Sequence, residues 1–148
     1  MGVLADSTLA AGGEIIGVIP HGLAARELAH PRVSDMRVVP SMHARKGLMA
    51  SLSDAFVALP GGLGTFEELL EIATWGQLGI HRKPVGVLNV ARYYDPLVAL
   101  FDHAVREGFV SPENRRLVIV EEHPGALLDR LGEHRPPSGA QWVAPDET

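Results

Sequence analysis

Leu59-Pro60-Gly61-Gly62-Leu63-Gly64-Thr65-Phe66-Glu67-Glu68 is the stretch whose reading decides the fold of this chain. It follows Ala55-Phe56-Val57-Ala58-Leu59, an apolar run with the length and residue types of a buried strand. It precedes a run in which Phe66, Leu69, Leu70 and Ala73 recur at i, i+3, i+4 and i+7, the spacing of one helix face. The order is therefore strand, glycine-rich turn, helix. Gly61, Gly62 and Gly64 let the backbone turn tightly and approach a ligand with no Cβ in the way. The helix that follows aims its unbonded N–H groups and the positive end of its dipole at that turn, which suits a phosphate. Glu67 and Glu68 add two carboxylates just inside the helix. Acids beside a phosphate cradle point to chemistry on a nucleotide rather than to binding alone. Two blander readings stand beside this one. The glycines also fit a plain strand-to-helix turn, and Thr65-x-x-Glu68 fits a capping box in which Thr65 caps and Glu68 reaches back.

Strands and helices alternate outward from this point. Met1–Ala11 reads as a helix ended by Gly12-Gly13, and Glu14–Pro20 as a β-branched, buried strand stopped by proline. His21–Pro31 is mixed, a short helix with loops, and Met36–Val39 is a short strand. Ser41 fits the cap of a helix over Met42–Leu52. Beyond the glycine turn come a strand at Lys83–Asn89, a helix at Tyr93–Arg106, a strand at Arg116–Glu121 and a helix at Pro124–Leu131. Strands that are apolar throughout and alternate with helices predict an α/β fold, a doubly wound parallel sheet with helices on both faces. Ligands bind such sheets beyond the carboxyl ends of the strands, where Pro20-His21, Pro60–Thr65 and Asn89 lie. Residues 1–132 form the one expected domain, and the polar stretch 133–148 is expected to be a disordered tail.

The chain has 148 residues, is 46% apolar and carries a net charge of −5. It has no basic block to bind nucleic acid, no apolar run long enough to span a membrane, and no leader pattern. It contains no cysteine, which removes disulfides and thiolate nucleophiles. A cytoplasmic enzyme fits these features. The seven histidines show no ligand pair at zinc spacing, so neither a metal nor a cofactor is expected. A nicotinamide oxidoreductase is disfavoured, because no G-x-G-x-x-G follows a strand.

A second candidate cluster is Met42-His43-Ala44-Arg45-Lys46. On the predicted helix Arg45 shares a face with Leu48, Met49 and Leu52, which puts a guanidinium on the apolar stripe. A permanent charge there must be paired or must snorkel to water. Lys46 alone reads as a surface lysine, Glu27 as a surface acid and Thr74 as helix interior. Trp75–His81 leaves an apolar edge that is a candidate dimer surface.

With these residues in view, the sequence resembles the LONELY GUY family of cytokinin riboside 5′-monophosphate phosphoribohydrolases, formerly labelled lysine decarboxylase-like. Pro60 through Glu68 match its signature PGGxGTxxE, and Met42-His43-x-Arg45-Lys46 matches its second motif. Gly12–Pro20 and Thr74–Gly86 are also similar, and the resemblance covers about Met1 to Phe109. It implies a Rossmann-like fold, a homodimer, and hydrolysis of the N-glycosidic bond of a nucleoside monophosphate to free base and ribose 5-phosphate. It also implies that Arg45 and Glu68 are catalytic. Glu27, Arg45, Lys46, Gly61, Gly62, Leu63, Gly64, Thr65, Phe66, Glu67 and Thr74 would hold the nucleotide. Arg45 would either orient Glu68 or neutralise the phosphate. Family members carry a strand–helix–strand unit ahead of the point matched by Met1-Gly2, so the fold is expected to be N-terminally truncated, with Met1 an internal methionine. The alternative reading is a non-catalytic nucleotide- or cofactor-binding module like the molybdenum-cofactor carriers, which share the glycine loop.

Overall fold

The computed structural model describes residues 2–24 and 30–135. Glu27 and the stretch 136–148, most of the expected tail, lie outside the described residues. The chain divides into two compact units, Met1–Ser53 and Asp54–Thr148.

The first unit opens with α1 (Gly2–Ala10). Gly12, with φ of 75°, turns the chain out of it as the Gly-Gly pair predicts. β1 (Ile16–Pro20) and β2 (Asp35–Val39) pair in parallel from Ile16 opposite Asp35 to Pro20 opposite Val39. A single helical turn, α2 (His21–Ala24), follows β1 directly. α3 (Met42–Leu52) packs on both strands and has the bounds expected from the sequence. Ile19, Val33 and Val39 are buried, whereas Ile16 and Val38 are exposed. β1 was expected to be buried along its length. It is buried only towards Pro20. Asp6 on α1 pairs with Arg32 and with His30, tying the helix to the loop before β2.

The second unit is built on β3 (Phe56–Ala58), β4 (Val85–Leu88) and β5 (Val118–Glu121), hydrogen-bonded in that order and all parallel. α4 (Leu63–Leu78) crosses from β3 to β4. A 3-10 turn (Val90–Arg92), α5 (Asp95–Arg106) and the one-turn α6 (Pro112–Arg115) cross from β4 to β5. α7 (Pro124–Gly132) returns onto β4 and β5. Leu127 and Leu131 of α7 pack with Ile119 and Leu88 into one apolar cluster. By strand alternation Val85 and Val87 turn to the opposite face, where both are buried. Arg115 fastens the crossover: its Nε donates to Asp102 at 2.7 Å, and its guanidinium stacks 5.9 Å from the Phe101 ring centre. These are the parallel strands and surrounding helices of a Rossmann-like α/β fold, hydrogen-bonded as two ladders, one per unit.

Candidate functional site

Because a parallel strand leads into its helix at the carboxyl edge of the sheet, the turn between β3 and α4 lies where such folds hold ligands. α4 begins earlier than the apolar spacing indicates. Its first residue is Leu63, with Gly62 as the cap, and no side chain caps it. Thr65 is thus the third helical residue, and its own N–H donates to Gly62 O at 3.0 Å. The capping box does not form, since Thr65 lies inside the helix it would have to cap. Phe66 N–H also goes to Gly62 O, at 3.1 Å. The N–H groups of Leu63 and Gly64 have no intrahelical acceptor, as in any first turn.

The three glycines are not equivalent. A Cβ on Gly61 would meet Thr65 Oγ1 at 2.2 Å and Thr65 Cβ at 2.9 Å, so the turn itself requires glycine there. A Cβ on Gly62 or Gly64 would meet nothing within 4 Å, and neither residue has positive φ. Nothing in the fold of this unit demands glycine at those two positions. They keep the space beside this helix start free of side-chain carbon.

The other predicted residues of α4 follow in order. Leu63 is 86% exposed. Phe66 is half-buried, Glu67 exposed and Glu68, one residue on, half-buried. Thr74 is exposed, and its hydroxyl donates to Leu70 O at 2.7 Å, the usual bond of a helix-interior threonine. Arg45 and Lys46 lie on α3 in the first unit, both half-buried. The predicted apolar edge at the end of α4 is partly covered, with Trp75, Leu78 and Ile80 half-buried.

Sequence reasoning missed the turn after β4. Tyr93 and Tyr94 were expected to open a helix. α5 instead starts at Asp95, with Pro96 in its first turn, and both tyrosines belong to the turn. The Tyr93 hydroxyl donates to Gly61 O at 2.5 Å, and the Tyr94 hydroxyl to Leu59 O at 2.5 Å. Phe66 stacks on Tyr93 (6.4 Å, 12°) and meets Tyr94 edge-on (6.1 Å, 80°). Burial raises the Tyr94 pKa above its ordinary value. Asn89, 4% exposed at the end of β4, organises this turn. Its Nδ2 donates to Asp95 Oδ1 at 2.8 Å, its Oδ1 accepts from Tyr94 N at 2.7 Å, and its backbone N donates to Glu121 O at 2.7 Å. The Asn89 hydrogen bond and the Arg92 side chain hold the Asp95 carboxyl below its ordinary range. The available signal was a lone polar residue closing Val85-Gly86-Val87-Leu88.

A groove of about 530 Å³ lies along β5, lined by Arg115, Arg116, Arg130 and His134 among others, and it includes no predicted site residue. Its arginines are engaged by Asp102, Glu113 and Glu121. No helix among the described residues is long and apolar enough to cross a membrane.

Fold and turn together define the class: a Rossmann-like α/β protein with an open, glycine-lined helix start at the carboxyl end of a parallel strand. Comparison with known proteins narrows this. The family described as "Possible lysine decarboxylase" matches residues 1–131. A rice (Oryza sativa subsp. japonica) protein named as a probable cytokinin riboside 5′-monophosphate phosphoribohydrolase is 52% identical over 137 residues, 93% of this chain and 56% of its own. A second rice protein with that name is 48% identical over 147 residues, 96% of this chain and 70% of its own. An Arabidopsis thaliana cytokinin riboside 5′-monophosphate phosphoribohydrolase is 48% identical over 136 residues, 92% of this chain and 63% of its own. The chain belongs to this family, the LONELY GUY proteins. It spans 56% to 70% of the length of these three relatives.

Proposed function

We propose that this chain hydrolyses the N-glycosidic bond of cytokinin riboside 5′-monophosphates, and of AMP, releasing the free base and ribose 5-phosphate. The start of α4 carries the reading. Its uncapped first turn faces open space at Gly62 and Gly64, and a half-buried carboxylate, Glu68, follows in the second turn. The 5′-phosphate accepts from the amides of Gly61 to Gly64, which fixes the ribose. Breaking the bond between the ribose C1′ and the base nitrogen builds positive charge on the sugar, as in other glycoside cleavages. Glu68 stabilises that charge or takes the proton of the water that adds at C1′. Leu63, Phe66, Glu67 and Thr74 line the nucleotide in this reading. Arg45 and Lys46 enter it as substrate-holding cations, Arg45 also as a catalytic group, on the strength of the family motif. A homodimer and a cytoplasmic location belong to the same proposal.

The test is incubation of the purified chain with AMP and with N6-isopentenyladenosine 5′-monophosphate, followed by chromatography. Free base and ribose 5-phosphate in equal amounts support the proposal. Nucleotide that binds and stays intact contradicts it and favours a non-catalytic binding module.

A further inference from the structure

Tyr93 and Tyr94 are neighbours in sequence, yet they grip two different peptide units of the glycine turn. A trans peptide carries its C=O and N–H on opposite sides. Gly61 O, held by the Tyr93 hydroxyl, belongs to the peptide whose N–H is that of Gly62. Holding the oxygen therefore aims the Gly62 N–H away from the tyrosine. Leu59 O, held by Tyr94, belongs to a peptide whose nitrogen is that of Pro60, which has no hydrogen to aim. Tyr94 fixes where the chain leaves β3, whereas Tyr93 fixes the direction of a donor. Their burial agrees with this division: Tyr94 is 1% exposed and Tyr93 45% exposed. A hydrogen bond at such an exposed hydroxyl adds little to folding.

The turn that presents Tyr93 is held against its own preference. Ala91 and Arg92 both take positive φ, 51° and 61°. Non-glycine residues adopt this region only where their surroundings over-determine it. Here Asn89 and Arg92 both fasten to Asp95, at 2.8 and 2.6 Å. The Phe66 ring, from the first turns of α4, stacks on Tyr93 and so sets the phenol against the amides it orients.

We infer that Tyr93 is a positioning residue for the phosphate-binding amides, acting through the Gly61–Gly62 peptide. This rests on the proposed phosphate site. It adds that the strained turn after β4 sets the affinity for the 5′-phosphate without touching it.

The test is calorimetric titration of wild type, Tyr93→Phe and Tyr94→Phe with AMP, ribose 5-phosphate and adenosine, alongside thermal melts, the AMP titrations being run on the three chains with Glu68→Gln added so that the nucleotide stays intact. Tyr93→Phe is expected to weaken AMP and ribose 5-phosphate about five- to tenfold, the loss of one oriented hydrogen bond, and to leave adenosine unchanged. Its melting temperature should stay within about 1 °C of wild type. Tyr94→Phe should melt lower and keep the wild-type ratio of AMP to adenosine affinity. That ratio does not depend on the folded fraction, so a destabilised variant still gives an answer. Equal losses for AMP and adenosine in Tyr93→Phe, or wild-type AMP affinity in that variant, would overturn the inference alone. A wild-type chain that binds neither AMP nor ribose 5-phosphate would overturn the phosphate site and the inference with it.

Discussion

α3 and α4 each follow a parallel strand, and the chain finishes their ends differently. α3 is closed by serine at both. Ser41 Oγ accepts from Ala44 N at 3.1 Å, and the Ser53 N–H and hydroxyl both go to Met49 O, at 3.2 and 2.8 Å. α4 is closed only at its far end. There Gly79, at φ 77°, returns its N–H to Gly76 O. His81 reaches back as well: its Nδ1 accepts from Lys83 N, so its Nε2 carries the hydrogen shared with Ile72 O at 2.9 Å. At the near end of α4 no side chain intervenes. The other helices of the same unit, α5, α6 and α7, each place a proline in the first turn, which deletes a donor. A glycine cap costs only a few tenths of a kcal/mol relative to serine. In exchange, the first-turn donors of α4 stay available. In the function proposed above, the capped start of α3 serves the fold, whereas the glycine start of α4, left open at small cost, serves the ligand.

The largest effect should come from the acid behind the open end. Glu68→Gln is expected to keep the melting temperature of wild type and to lose hydrolysis by about a hundredfold or more, the range for a general acid–base group. Steady-state assay beside a thermal melt checks both halves, and full activity would refute the role of Glu68. Next come the glycines. Gly61→Ala drives a Cβ into the short, branched Thr65 side chain and should cost about 1–3 kcal/mol of stability. Gly62→Ala enters open space and loses only the glycine cap, so it should cost less than Gly61→Ala, about 0.5–1 kcal/mol, while binding AMP roughly tenfold more weakly. If Gly62→Ala destabilises as much as Gly61→Ala, the distinction between a structural and a ligand-facing glycine fails.

Smaller is the closed end of α3. Ser41→Ala should cost about 1 kcal/mol in urea unfolding, the usual price of a lost cap. Smallest is a pH effect at the far end of α4. Burial outweighs the backbone bonds and holds the His81 pKa below its ordinary value of 6.5. The unfolded chain therefore takes up the proton first. This contribution to stability is complete above about pH 6.5 and declines as pH falls below it. Urea midpoints at pH 7.5 and pH 5.0 should drop less for His81→Gln than for wild type. Equal drops would remove His81 from the account.

The same contrast explains what could be read from the sequence. Ser41 ahead of an apolar-periodic run gave the start of α3 to the residue, because a side-chain cap is a local event between near neighbours. The same rule applied to Thr65 misplaced the start of α4. Glycine normally lies outside helices, yet Gly64 is the second helical residue here. The succession of the strands along the chain and their parallel direction followed from apolar runs alternating with helices, whereas their division into two ladders did not. The turn after β4 did not, since no preference of Ala91 or Arg92 announces positive φ. The hydroxyls of Tyr93 and Tyr94 find acceptors more than 30 residues earlier in the chain. Arg45 and Glu68 were marked by position on a helix, and their roles came from the family motif.

Amide NMR gives the most direct test of the open helix start. Titrating the labelled Glu68→Gln chain, which leaves AMP intact, should give saturable shifts at the amides of Gly61, Gly62, Leu63 and Gly64, larger than those from adenosine. If those four amides stay in place while AMP binds with its shifts centred elsewhere, α4 does not hold the phosphate and the account is wrong.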